Sequence, residues 1–195
     1  MFNDRLFVLA LGTFAIGTEG FMIAGVLPAL AQDFRVSLSA AGQLVTAFSL
    51  AYAIGSPVLT TLTGQTEKRK LLALSLLLFA LANFVCGLAA QYGMLMLGRV
   101  IAAVGAGLFV PSASTTAAGL AAPEHRGKAL AVVIGGQTVA LALGVPLGTW
   151  IAYAFHWRTT FWLVGALALL AAVLIRLRLP VISPTAPIPL KERLS

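Results

Sequence analysis

The stretch TFAIGTEGFMIAGVLPAL, Thr13 to Leu30, places one acid, Glu19, inside an apolar run. The run extends over residues 6–31, and a helix that rises 1.5 Å per residue needs about 20 apolar residues to cross the hydrocarbon core of a bilayer. A transmembrane strand is about half as long and alternates strictly in polarity. The stretch therefore predicts a transmembrane helix that carries a carboxylate.

The composition of the whole chain is also that of a membrane protein. Hydrophobic residues make up 59% of it, charged residues 10%, and the mean hydropathy is +0.97. Six apolar segments are separated by short polar connections: 6–31, 39–63, 71–90, 94–121, 129–155 and 161–175. We predict an all-α membrane protein with a six-helix bundle at residues 1–178 and an irregular, proline-rich cytoplasmic tail at 179–195.

The distribution of Lys and Arg predicts the orientation. If the N-terminus is inside, ten of the 13 basic residues lie on the cytoplasmic side, two lie outside and Arg99 lies within a span. The positive-inside rule then predicts a multi-pass protein of the inner membrane with both termini in the cytoplasm. Because the basic residues form no single patch, the net charge of +7 indicates contact with lipid headgroups rather than nucleic acid.

An internal repeat relates the two halves of the bundle. The second segment contains AYAIGSPV, with Gly55 and Pro57, and the fifth contains ALALGVPL, with Gly144 and Pro146. The first and fourth segments each carry an ionisable residue. Two three-helix units that begin on opposite sides of the membrane are typical of secondary transporters, so we predict two inverted three-helix repeats.

Glu19 and Arg99 are the ionisable residues at membrane depth. Counting about 1.5 Å per residue from each helix end places both about 10 Å from the outer edge of a ~30 Å core. A charge at this depth costs at least ~2.5 to 3.5 kcal/mol, so both side chains must face the bundle interior or a wet cavity. Glu19 is a candidate proton carrier that Arg99 tunes; the alternative is a static ion pair or a polar plug.

Glycines mark one face of the fifth segment. Gly136, Gly144 and Gly148 are separated by multiples of four residues, which allows a neighbouring helix to approach closely. Pro146 removes a backbone donor and is expected to bend the helix. This face either gates or seals a cavity, or forms a tight helix crossing without a role in transport.

Other polar residues lie at membrane depth. The hydroxyl residues that follow Pro111 are expected to bond carbonyl groups that the proline leaves free. Candidate cavity-lining residues are Gln43, Thr46, Asn83 and Gln137. Each of these four could instead bond to a neighbouring helix.

The sequence offers little for catalysis or for a metal. His125 and His156 have no acidic or thiol cluster beside them, and Cys86 is the one cysteine of the chain. A phosphate-binding loop and a nucleophile motif of the G-x-S-x-G type are also absent. We therefore expect a protein that is not an enzyme and that needs no metal or cofactor.

Three motifs together resemble a known family. LGRVIAAVGAG at 97–107, GGQTVALALGVPLG at 135–148 and HWRTTFWLV at 156–164 are similar to the fourth, fifth and sixth helices of major facilitator superfamily transporters, in the twelve-helix drug:proton antiporter branch that includes sugar, arabinose and nucleoside efflux proteins. The resemblance implies proton-coupled efflux of a small molecule, with Arg99 in proton coupling and Glu19 as the first-helix acid.

The chain departs from that family in two respects. In the loop TTLTGQTEKRK, the basic end of the superfamily motif is kept as Lys68, Arg69 and Lys70, whereas its aspartate and first glycine are not. The chain also resembles only the N-terminal half of a twelve-helix protein. It is therefore expected to pair with a second half-transporter or with another copy of itself; the alternative is a truncated, non-transporting membrane protein or a modulatory partner of a full transporter.

Overall fold

A computed structural model describes residues 4–181, and within this range every regular element is helical. The helices are α1 (Asp4–Asp33), α2 (Leu38–Leu62), α3 (Lys68–Gly87), α4 (Tyr92–Leu120), α5 (Arg126–Val139), α6 (Val145–Ala154) and α7 (Trp157–Arg178). A single 3-10 turn, Pro123–His125, leads into α5, and a π-helical turn, Ala140–Gly144, joins α5 to α6. The fifth span is thus composite, and the prediction of six transmembrane helices is confirmed.

Two helices begin several residues earlier than their apolar segments, and a polar side chain caps each of them. Helix α3 begins at Lys68 rather than at residue 71. At this start, the Glu67 carboxylate accepts a hydrogen bond from the Arg69 backbone N–H at 3.1 Å. Helix α7 begins at Trp157 rather than at residue 161. At this start, His156 Nδ1 accepts a hydrogen bond from the Arg158 backbone N–H at 3.2 Å. Hydropathy marks only the part of each helix that lies in the hydrocarbon core, whereas the caps lie in the polar loops.

The bundle is built on α1, α3 and α4. Helix α3 packs against α4 and α7, α1 packs against α7 and along the whole fifth span, and α2 packs mainly against α4. In the most apolar 18-residue stretch of each span, 67% of the residues are buried in α1, compared with 11% in α2 and 22% in the fifth span. These two spans therefore present most of their surface outward. Because short connections join consecutive spans, the first and fourth spans begin at opposite ends of the bundle.

Pro111 leaves a carbonyl group of its own helix without a donor, and α2 supplies one. The carbonyl in question is that of Gly107, one turn earlier, and Ser56 Oγ donates to it at 2.9 Å. The hydroxyls of Ser114 and Thr115 bond other carbonyls of α4 instead. The expected local repair by the hydroxyl run after Pro111 was therefore wrong, since the donor comes from a neighbouring helix.

The predicted tail at 179–195 lies, from residue 182 onward, outside the described residues. At its start, the carbonyl of Leu179 accepts from Arg69 Nη1 at 3.4 Å. This bond joins the end of α7 to the first turn of α3.

Candidate functional site

Glu19 of α1 and Arg99 of α4 form an ion pair inside the bundle. Arg99 Nη1 donates to Glu19 Oε1, and both side chains are completely buried. The two residues that sequence depth placed at the same level are thus in direct contact. A buried pair of this kind is costly to break, since removal of one partner leaves an uncompensated charge in a low-dielectric interior.

Helix α2 completes the environment of Arg99. Arg99 Cζ lies 4.3 Å from the centroid of the Phe48 ring, and Arg99 Nε donates to the Leu44 carbonyl at 3.4 Å. A desolvated guanidinium over an aromatic face gains cation–π stabilisation in addition to its ion pair. Sequence reasoning missed Phe48, because the rotation of α2 about its axis decides whether this ring points toward Arg99.

The pair is not saturated. Glu19 Oε2 and Arg99 Nη2 are buried, and neither has a hydrogen-bond partner within residues 4–181. Buried polar atoms without a partner are uncommon in folded proteins, and each calls for an explanation such as a functional role. The site therefore keeps one free acceptor and one free donor beside a closed ion pair, which is the hydrogen-bonding capacity that a proton, a water molecule or a polar ligand would use.

The glycine face of the fifth span lies against α1. A Cβ atom at Gly136 would overlap the Ala10 carbonyl, one at Gly144 would overlap Thr18, and one at Gly148 would lie 2.5 Å from Met22 Sδ. A Cβ at Gly135, in contrast, would meet nothing within 4 Å. The fifth span thus crosses α1 closely at these glycines, as their spacing indicates, while a gating role for this face stays a prediction.

A π-helical turn lies just before Pro146, where the proline predicts a bend. Residues Ala140–Gly144 adopt the wider helix immediately before the proline. Such turns occur as single bulges inside α-helices, frequently at functional sites. Helix α2, in contrast, remains α-helical through Pro57, so the two similar segments differ in local structure.

Gly55 does not have the role of Gly144. A Cβ at Gly55 would contact only Leu59 of its own helix, at 3.5 Å, and Pro57 is exposed. The next residue, Ser56, makes the close approach of α2 to α4, where it lies beside Gly107. Within residues 4–181 Gly55 therefore forms no close helix contact, because similar sequences in the two repeats do not turn the same face toward a neighbour.

The candidate cavity-lining residues lie in different places. Gln43 and Thr46 are exposed on α2, and Gln137 is half-buried where α5 meets Gly17 of α1. Asn83 is fully buried and donates to the Phe79 carbonyl of its own helix at 2.9 Å. Asn83 therefore does not reach the outer surface of the bundle, whereas Gln43 and Thr46 do.

The basic loop residues Lys68, Arg69 and Lys70 form the first turn of α3. Arg69 is held by the Glu67 carboxylate, with Nε at 3.8 Å from Oε1, and by the Leu179 carbonyl. Glu67 thus supplies a carboxylate at this loop, but it pairs within the loop itself.

A second polar cluster, which sequence reasoning also missed, joins three helix ends at the opposite side of the bundle. Asp33 Oδ2 accepts from Trp157 Nε1 at 2.9 Å and from Arg158 Nη1 at 2.8 Å, and Arg158 Nη2 donates to the Ala89 carbonyl at 3.0 Å. The cluster therefore ties the end of α1 and the start of α7 to the connection between α3 and α4.

Known proteins resemble this chain in sequence and in fold. The sequence profile of the Major Facilitator Superfamily matches residues 9–194. One similar relative is the uncharacterized MFS-type transporter YbcL of Bacillus subtilis, which is 39% identical over 98% of this chain and 49% of its own length. Another is the chloramphenicol resistance protein of Streptomyces lividans, which is 39% identical over 86% of this chain and 43% of its own length. The chain spans about half the length of the curated relatives it matches.

Solved structures agree at the level of the fold. A peptide transporter POT in complex with sulfate superposes with a TM-score of 0.83 at 12% identity, over 98% of this chain and 42% of that one. A bacterial homolog of the human lysosomal transporter Spinster, in an inward-facing conformation, gives 0.81 at 21% identity, over 95% and 44%. With the family profile and the six-span fold in agreement, this membrane chain belongs to the Major Facilitator Superfamily, of whose fold it forms one half.

Proposed function

We propose that this chain is the N-terminal half of a proton-coupled transporter that exports a small molecule of the drug, sugar or nucleoside class. The observation that carries the proposal is the buried pair of Glu19 and Arg99, in which each side chain keeps one polar atom without a partner in the described part of the chain. In this proposal Glu19 exchanges the proton and Arg99 responds to its charge.

The energetics of the pair connect proton binding to a change of structure. When Glu19 takes up a proton, its attraction to Arg99 is lost, and the guanidinium becomes a buried cation with only Phe48 and the Leu44 carbonyl beside it. An unpaired charge in this position is unfavourable by several kcal/mol. Arg99 must then find water or another acceptor, so protonation favours a conformation that opens the site.

The second half of the proposed transporter would cover the surface that α2 and the fifth span leave open. Both spans are mostly unburied, and Gln43 and Thr46 lie on the open surface of α2. Relatives about twice as long as this chain supply the argument for a complementary half of the fold. We propose that the substrate binds between the two halves. We also propose that the protein lies in the inner membrane with both termini of this chain in the cytoplasm.

The direction of transport is also part of the proposal. One relative carries the name chloramphenicol resistance protein, and export of a compound is one way in which a membrane transporter confers resistance. The transmembrane proton gradient would drive such export, and proton uptake by the buried Glu19 carboxylate would couple the two.

The test is transport by reconstituted vesicles. Vesicles that contain the chain are loaded with chloramphenicol or with a fluorescent cationic dye, and efflux is followed with and without an imposed pH gradient. We expect gradient-dependent efflux that Glu19→Gln abolishes, while Glu124→Gln, which neutralises an exposed acid of the turn before α5, leaves it unchanged. Equal proton-coupled efflux by the Glu19→Gln variant and the parent chain would overturn the assignment of the proton site.

A modulatory role without transport is the second candidate, because the six described spans cover less than half of the solved transporters that they match. Here the folded chain transports nothing, either alone or together with a complementary six-helix half, yet it changes the activity of a full-length transporter in the same vesicles. Efflux that appears only when the complementary half is added supports the first proposal instead.

A further inference from the structure

A groove opens between α3 and α7 at the end of the bundle where α1 begins. Its volume is about 420 Å³. The lining residues are Lys70, Ala73, Leu74, Leu77, Leu169, Ala172, Val173, Arg176 and Leu177. Neither Glu19 nor Arg99 lines the groove, and the proposed transport function does not involve it.

Two basic residues of the groove have no partner in the described part of the chain. Neither Lys70 nor Arg176 forms an ion pair or a side-chain hydrogen bond there. Nearby basic residues differ in this respect: Arg69 contacts Glu67 and the Leu179 carbonyl, and Arg178 lies 3.7 Å from Asp4. The groove therefore holds two positive charges that nothing in residues 4–181 neutralises.

The rest of the groove is apolar and open to the surroundings of the bundle. Leu74 is 51% exposed and Val173 is 47% exposed, although α3 and α7 pack closely against each other at Ala73 and Ala172. From Lys70 to Leu77 the α3 wall extends for about 10 Å at 1.5 Å per residue. Because both helices cross the membrane, this surface faces lipid chains at one end and headgroups at the other.

We propose that the groove binds one anionic phospholipid, whose phosphate lies between Lys70 and Arg176 and whose acyl chain lies against the leucine and valine side chains between α3 and α7. A basic pocket between transmembrane helices, at the side that carries most basic residues, is the arrangement that recognises anionic headgroups. The apolar walls bind any phospholipid, so the two charges provide the preference for an anionic one.

The test measures lipid selectivity directly. The full chain is purified in a neutral detergent, stripped of lipid, and equilibrated with an equimolar mixture of dioleoylphosphatidylglycerol and dioleoylphosphatidylcholine, and bound lipids are identified by native mass spectrometry. We expect the parent chain to prefer phosphatidylglycerol by roughly ten- to thirtyfold, from the attraction of two basic residues. Lys70→Gln/Arg176→Gln should remove most of this preference.

Two control variants make the result decisive. Arg126→Gln/Lys128→Gln removes the same charge from exposed positions in the first turn of α5, outside the groove, and should keep the preference. Lys70→Arg/Arg176→Lys keeps both charges and should also keep it. The proposal is overturned if the groove double variant, shown by circular dichroism to be folded, retains phosphatidylglycerol as the α5 double variant does. It is also overturned if the parent chain binds both lipids equally.

Discussion

Substitution of Gly136 by alanine should destabilise the bundle, although the same substitution one residue earlier should not. A Cβ at Gly136 would overlap the carbonyl oxygen of Ala10 and lie 3.1 Å from its carbon, and a backbone group of α1 cannot turn aside as a side chain can. The same atom would displace the hydroxyl of Thr13, which donates to the Val133 carbonyl at 2.6 Å.

The magnitude follows from two opposing terms. Overpacking of a tight contact costs about 1–3 kcal/mol, whereas Gly→Ala within a helix gains up to about 1 kcal/mol. Gly135 lies in the same helix, so it shares the second term, but its Cβ would meet nothing within 4 Å. The difference in unfolding free energy between Gly136→Ala and Gly135→Ala should therefore be about 1–3 kcal/mol.

The assay is reversible unfolding of the chain in mixed micelles with increasing sodium dodecyl sulfate, followed by far-ultraviolet circular dichroism. Both variants are measured beside the parent chain. If Gly136→Ala proves as stable as Gly135→Ala, the glycine face does not form the crossing with α1, and the argument for close packing there fails.

Three further predictions use the same unfolding assay. Arg99→Met should cost about 3–5 kcal/mol by leaving Glu19 buried and unpaired, and adding Glu19→Gln should restore much of that loss; two additive costs would contradict the ion pair. Ser56→Ala should cost about 0.6–1 kcal/mol through its bond to the Gly107 carbonyl, whereas Ser49→Ala, at an exposed position of α2, should cost less than half of this. Asp33→Asn should lower the unfolding free energy by about 1 kcal/mol or less, an effect that 1 M salt should reduce. A loss of stability that does not depend on salt would argue against the ion pair of Asp33 and Arg158.

The sequence predicts well those features that depend on position along a helix axis. The six spans follow from the length of each apolar run, and the common depth of Glu19 and Arg99 follows from the rise per residue. The contact of Gly136, Gly144 and Gly148 with one neighbour follows from their spacing, since residues four apart share a helix face. None of these inferences requires knowledge of how far each helix is rotated about its own axis.

Features that depend on rotation, or on the identity of the neighbouring helix, could not be predicted. Phe48 contacts Arg99 and Ser56 contacts Gly107 because α2 turns these residues toward α4. Gly55 shares its sequence context with Gly144, yet it points elsewhere. Pro146 indicates a missing donor, but it does not decide between a kink and a π-helical turn, because the packing of α1 against residues 140–144 also contributes.

The ion pair of Glu19 and Arg99 and the π-helical turn are joined by two residues of α1. Gly17 lies against Ala140, where a Cβ would be 2.9 Å away, and Thr18 lies against Gly144. The next residue is Glu19, whose carboxylate bonds to Arg99. Since the glycine contacts leave no room for α1 to slide independently, a rotation of α1 that moves the carboxylate away from Arg99 must also displace the fifth span. The π-helical turn is the part of that span with the least regular hydrogen bonding, so it is where the displacement is most easily absorbed.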